Sequence, residues 1–168
     1  MPNWKSTLPS MDKRIVINTG PLIALMRMKA LEIPGKLDLT FITPEEVRRE
    51  LDDGASVGYP PVRPVWLSYQ RLQSPLPTLV TSVLDAGEAA VIQLAIDEGI
   101  AQVCIDELKG RRMARAVGLK VTGALGLLGK AKREGIISEV RPYLDRALQT
   151  GIRYHPDLVQ RFLEALGE

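Results

Sequence analysis

An alternation repeated along the chain constrains its fold more than any other feature. A short β-branched or apolar run is followed by a helix-opening signal and then by a helical stretch. Runs at 14–17, 39–42, 101–105 and 119–121 each lead at once into polar or turn residues that suit a helix start. Antiparallel strands can be joined by tight turns, whereas parallel neighbours need a crossover, usually a helix. The spacing therefore predicts an α/β domain: a three-layer α/β/α sandwich around a mainly parallel central sheet.

Local signals place the pieces. The first strand, 14–17, ends at Asn18, and Thr19-Gly20-Pro21 turns into a helix reaching about residue 30. Thr43 is expected to cap a second helix that begins at Pro44, with Glu46 closing a capping box and a stop near 52–54. A Gly/Pro-rich loop over 54–64 and a short edge strand at 65–69 should follow, while 70–84 shows no clear period. Asp85 opens a helix to Glu98 that is apolar nearly all round, hence buried, and Gly99 ends it. Further helices are expected at 108–117, 122–133, 138–149 and 156–166, with Gly118 stopping the first of them. Residues 1–13 read as a loose tail and 14–168 as a single domain.

Composition narrows the chemistry. Cys104 is the only cysteine and His155 the only histidine, so an internal disulfide, a Cys-based zinc site and a multi-His zinc site are all excluded. Any metal must be held mainly by oxygen, which favours Mg²⁺ or Mn²⁺. Cys104 reads as a small buried strand residue, and His155 as a surface residue at a helix start. No apolar run approaches the roughly 20 residues a membrane helix needs, and residues 1–13 hold no apolar signal core, so a cytoplasmic protein without a membrane segment is expected. Phosphate-loop, dinucleotide and nucleophile-elbow motifs are missing.

Open α/β sheets bind ligands beyond the carboxyl ends of their strands. Asn18 stands at one such end, and Asp106 with Glu107 at another. Glu88 falls in the first turn of a helix starting from that edge, Glu46 and Glu50 share a helical face one turn apart, and Thr19 and Thr122 open helices there. Gathered carboxylates repel, and a divalent cation relieves that cost while polarising a phosphate and activating a bound water. From Asp106 to Arg133 eight Lys/Arg face two acids, a local +6. Of these, Lys109, Arg111, Arg112 and Arg115 begin three residues after Asp106 and suit a polyanion such as RNA. Plainer readings stand beside each: Glu88 as capping partner of Asp85, Asp106 as N-cap of the next helix, Glu46 as a capping-box residue, Glu50 as a solvated helix residue. Asn18, Thr19 and Thr122 read equally as helix starters, and the basic stretch as a solvated face.

Five stretches carry a resemblance to a known family. They are 15–25 (IVINTGPLIAL), 42–47 (ITPEEV), 84–91 (LDAGEAAV), 105–114 (IDELKGRRMA), and 118–123 (GLKVTG) continuing to Gly126-Leu127-Leu128. The chain resembles the PIN-domain superfamily, and within it the DUF3368 group of small prokaryotic proteins, from residue 14 onward with 52–80 poorly matched. The resemblance implies metal-dependent ribonuclease chemistry, a likeness to toxins paired with an antitoxin protein, and a homodimer. The family's acids map onto Glu50 (with Glu46 the lesser fit), Glu88 and Asp106, with Glu107 beside it, and its site hydroxyls onto Thr19 and Thr122. The family's first acid, an aspartate, is replaced here by Asn18, which offers an oxygen without a charge. Two functions are therefore expected: a Mg²⁺- or Mn²⁺-dependent endoribonuclease, or a catalytically weakened PIN-fold protein that binds RNA or a protein partner. A phosphoacceptor signalling domain is a third class, but no reactive aspartate with an opposing lysine can be placed.

Overall fold

The computed structural model describes residues 12–168. The chain runs β1 (Arg14–Ile17), α1 (Thr19–Arg27), a 3₁₀ turn (Pro34–Lys36), β2 (Thr40–Pro44), α2 (Glu45–Ser56), β3 (Leu67–Gln70), α3 (Thr78–Thr81) and α4 (Ala86–Glu98). It continues through β4 (Gln102–Cys104), α5 (Leu108–Ala116), β5 (Lys120–Thr122), α6 (Ala124–Arg133), α7 (Arg141–Gln149) and α8 (Pro156–Ala165). Of the loose tail expected over 1–13, residues 1–11 lie outside the described residues. Lys13 is already tied down, its carbonyl accepting from Thr40 N–H at 2.9 Å.

All five strands are parallel, in the order β3-β2-β1-β4-β5, which makes the domain the expected α/β/α sandwich. Parallel sheets are stable when both faces are covered. Accordingly Ile15, Val16 and Ile17 of β1 and Val103 and Cys104 of β4 are fully buried, as expected for Cys104. The order has a direct consequence. The chain steps from β1 outward to β2 and β3, then returns through α4 to the other side of β1. Right-handed crossovers put the helices of these two excursions on opposite faces. The strand order therefore reverses between β1 and β4, and a crevice opens between their carboxyl ends.

α4 packs over β1 and β2 and is buried from Gly87 to Ala95 except at Gln93, as its all-round apolar sequence requires. Gly99 ends it in the left-handed conformation, φ 66°. On the far edge the Phe41 and Trp66 rings meet edge to face at 5.1 Å, holding β3 against β2.

Several sequence expectations are corrected. Thr43 is no cap: it belongs to β2, is fully buried, and donates its hydroxyl to the Ile17 carbonyl at 2.7 Å. Pro44 precedes α2 instead of starting it, so Glu46 closes no capping box. α2 runs through Gly54 to Ser56, past the expected stop at 52–54, since Gly54 does not adopt the left-handed conformation that ends a helix. Thr122 is the last residue of β5 and not the first of a helix, since the ladder with β4 carries it to pair with Cys104. The helix expected from 138 begins at Arg141.

Candidate functional site

Asn18 N–H donates to the Cys104 carbonyl at 3.0 Å, and Ile105 N–H to the Thr122 carbonyl at 2.9 Å. These two bonds extend the ladder past the strand ends, so Asn18 and Asp106 leave the sheet on neighbouring strands at the crevice. A Cβ on Gly20 would lie 3.8 Å from the Asp106 Cβ, which puts Asp106 against the first turn of α1.

Asn18 occupies the cap position of α1 yet makes no side-chain cap bond, so the capping reading fails. Its side-chain oxygen is buried and accepts no hydrogen bond from any described residue. Glu88 shows the same pattern. Asp85 accepts from Glu88 N–H at 2.7 Å and caps α4, but the Glu88 carboxylate does not return the bond. Glu88 is 3% exposed, and its Oε1 is likewise buried without a partner. Orphaned acceptors in a native interior demand an explanation, because each forfeits its hydration for nothing in return.

Glu50, rather than Glu46, is the α2 acid brought to this place. It accepts from the Thr19 hydroxyl at 2.5 Å and from Gly87 N–H at 3.0 Å, tying α2 to the starts of α1 and α4. Glu46 lines a separate cleft with Arg49, Arg71 and Gln73. Asp106 caps a helix, though not the expected α5: its Oδ1 accepts from Ala124 N–H, at the start of α6, at 2.9 Å. Glu107 is exposed and stands at the cap position of α5 without a side-chain bond.

Three glycines make room for three acids. A Cβ on Gly87 would stand 2.5 Å from Glu50 Oε1, one on Gly110 3.2 Å from Glu88 Oε1, and one on Gly123 2.4 Å from Asp106 Oδ1. None of these three adopts positive φ, so close approach is what favours glycine there, at Gly110 from Ile105 Cγ2 at 3.0 Å as well as from Glu88. Sequence reasoning missed this role, although each glycine sits inside a stretch that carried the family resemblance.

The electrostatics are those of a site short of positive charge. Burial pushes the Glu88 carboxyl up, and the charges of Asp85, Glu107 and Glu50 add to it. Burial also raises Glu50, against the Thr19 hydrogen bond, with Asp85 raising it further. Burial raises Asp106 against the opposing pull of the Ala124 amide and Arg111. Arg111 is no free phosphate clamp, since its Nη1 donates to the carbonyls of Ile105 at 2.6 Å and Thr122 at 3.2 Å. Lys109, Arg112 and Arg115 follow one another at three-residue spacing along α5. All three are exposed and without an ion pair among the described residues. The Thr122 hydroxyl packs over Gly126, where a Cβ would come within 2.1 Å. His155 is the exposed residue expected, and it caps α8 by accepting from Asp157 N–H at 3.2 Å.

Among the described residues no three acids, histidines or cysteines stand close enough to hold a metal by themselves. Mg²⁺ does not need them, because it is usually bound through one or two carboxylates and keeps several waters. The all-oxygen set of Glu88, Asn18, Asp106 and Glu50, with two buried oxygens unpartnered, fits such a hard cation. No described helix is long and apolar enough to cross a membrane. No curated protein matches the chain. A family model, DUF3368, described as a PIN domain, matches residues 14–168. The PIN domain is a nuclease-type fold, generally dependent on divalent metal, and it suggests an RNA substrate. With that match running from the first strand through the whole sheet and every helix, the chain belongs to the DUF3368 family of PIN domains.

Proposed function

We propose that the protein is an endoribonuclease of PIN type that works with Mg²⁺ or Mn²⁺. The observation that carries this is the pair of buried, unpartnered oxygens, Asn18 Oδ1 and Glu88 Oε1, at the switch point of a parallel sheet. When bound, the cation supplies Lewis-acid polarisation of a phosphodiester and a water of lowered pKa. Glu88 supplies the charged ligand and Asn18 a neutral one. Asp106 stands at the end of the neighbouring strand, fixed by Ala124 N–H with Arg111 favouring its charged form, while Glu50 is oriented by Thr19 and Gly87. Glu107 adds negative potential at the rim. Lys109, Arg112 and Arg115 draw the RNA backbone toward the site. PIN membership supports the further reading of a cytoplasmic toxin that acts as a homodimer and is silenced by an antitoxin protein.

The test is Mn²⁺-dependent cleavage of RNA by the purified protein and by the Asp106→Asn/Glu88→Gln double variant. Cleavage lost in the variant supports the assignment, and equal cleavage by both removes it. Asn18, which stands where related nucleases carry an aspartate, favours a second reading: a weakened PIN protein that acts by binding RNA or a protein partner. Asn18→Asp separates the two. Tighter Mn²⁺ binding by calorimetry places residue 18 in the site, and unchanged affinity takes it out.

A further inference from the structure

A cleft of about 500 Å³ opens beside Asp106, between the β5–α6 edge and α8. Asp106, Arg111, Thr122, Tyr154, Leu158 and Phe162 are among the residues lining it. Its walls are mostly carbon, with two aromatic rings, and Asp106, Arg111, Thr122 and Tyr154 supply its polar side chains. Tyr154 Oη is buried there and has no hydrogen-bond partner among the described residues. Burial and the charge of Asp106 push the Tyr154 hydroxyl up to about 12, so it remains a donor at any working pH. The Asp106 carboxylate, with Oδ1 on the Ala124 amide and close enough for its charge to act on Tyr154, offers an acceptor in the same cleft.

This chemistry selects against a phosphate. The one guanidinium in the cleft has its Nη1 spent on two carbonyls, and a carboxylate would repel an anion. It suits a flat aromatic ring whose edge carries a donor beside an acceptor, stacked on Tyr154 or Phe162. We propose that this cleft receives one unstacked nucleobase of the single-stranded RNA substrate, next to the phosphate presented at Asp106 and Glu88. Tyr154 and Asp106 read the base edge, and Leu158 closes the mouth. The assignment rests on the ribonuclease reading for the identity of the strand, and it adds a position-specific demand which that reading alone does not make.

The experiment measures fluorescence anisotropy of a short labelled single-stranded RNA, with one abasic site moved along it position by position. The wild-type chain, Tyr154→Phe and Leu158→Trp are compared. Leu158 is 48% exposed, so a larger ring there fills the cleft mouth without disturbing the core. Stacking of one base contributes enough that its removal should weaken binding roughly tenfold at a single position in the wild type. That penalty should shrink below twofold in Leu158→Trp. Tyr154→Phe should keep the stacking but lose preference among the four bases at that position. Uniform penalties along the strand overturn the proposal, as does a single penalty that survives in Leu158→Trp, or a failure to bind RNA. The Mn²⁺-induced thermal shift reports on the acids independently. If it is absent while the abasic effect is present, the metal reading falls and the base cleft stands, and the reverse pattern removes only the cleft.

Discussion

Replacing Glu88 by glutamine should make the metal-free protein more stable, not less. Glu88 is 3% exposed, and its Oε1 is buried without a partner. Burial raises its pKa, and the charges of Asp85, Glu107 and Glu50 raise it further. A carboxyl whose folded pKa lies above its unfolded value contributes its full stability below the unfolded pKa. That contribution is lost as pH rises through the folded value. At neutral pH the ionised Glu88 is therefore a cost. Glutamine keeps the shape, removes the charge, and leaves one buried polar group still unpaired. An unsatisfied buried group costs about 1–3 kcal/mol, more when charged, so the net gain should be about 1 kcal/mol. For a chain of this size that is a rise in Tm of about 2–4 °C.

The same substitution should reverse its effect once cation is present. At a Mn²⁺ concentration tenfold above Kd, binding to the native state adds about 1.4 kcal/mol to the wild type, or about 3–6 °C. The variant should keep little of this. Thermal melts in chelator and in Mn²⁺, at pH 5 and pH 7.5, read all of these terms. The advantage of the variant in chelator should narrow as pH falls, because the raised wild-type carboxyl takes up its proton on folding and so sheds the cost of its charge. If Glu88→Gln melts lower than wild type in chelator, or gains as much from Mn²⁺, then Glu88 is a structural residue and not a ligand.

Further outcomes follow from individual contacts. Gly123→Ala places a Cβ 2.4 Å from Asp106 Oδ1 and 3.1 Å from Arg111 Nη1, so it should cost about 1–3 kcal/mol in a urea melt and abolish cleavage. Arg111→Ala should lower stability by about 1–3 kcal/mol by freeing two carbonyls, whereas Arg112→Ala and Arg115→Ala should leave stability within about 0.5 kcal/mol. Those two should instead flatten the salt dependence of RNA binding, each lowering its slope by roughly one unit or less. For Glu168, burial pushes the carboxyl up. Hydrogen bonds from Lys132 and the amides of Val140 and Arg141 outweigh this and hold it down, from 4.5 to about 2. Its stabilisation is thus present above pH 4.5 and lost as pH falls toward 2, and Glu168→Gln should remove that acid limb and lower stability at pH 7 by about 1–2 kcal/mol.

Local chemistry made much of the architecture readable. Strand β1 ends at Ile17, next to Asn18 as expected, because a β-branched run meets a Thr-Gly-Pro helix start. Helix α4 matches its expected span because Asp85 caps it, Gly99 stops it with φ 66°, and its apolar surface has only one place to go. Errors arose where a distant partner overrode a local preference. Thr43 looks like a cap until its hydroxyl is seen to be taken by Ile17, twenty-six positions away. Thr122 looks like a helix opener until β4 is seen to pair with it. Gly54 looks like a stop, but it does not take the left-handed conformation and α2 runs across it to Ser56.

The candidate site was readable in residue type and not in hydrogen bonding, for a physical reason. A carboxylate's partner is set by topology, and the partners here are remote: Thr19 and Gly87 lie 31 and 37 positions from Glu50, and Ala124 lies 18 from Asp106. Sequence spacing offered Glu88 and Asp106 as caps of their own helices. In the structure Glu88 caps nothing, and Asp106 caps the helix after the next strand. The glycines argue in the same direction. Gly87, Gly110 and Gly123 each stand within 3.2 Å of an acidic oxygen when given a Cβ, so three separate backbone segments yield volume to three carboxylates that burial disfavours, with neighbouring acids adding to the cost at Glu50 and Glu88. Glu50 and Asp106 also tie elements of the fold together, but Glu88 buries an oxygen that no described residue partners, and an acid kept at such a cost is the expected mark of a binding site.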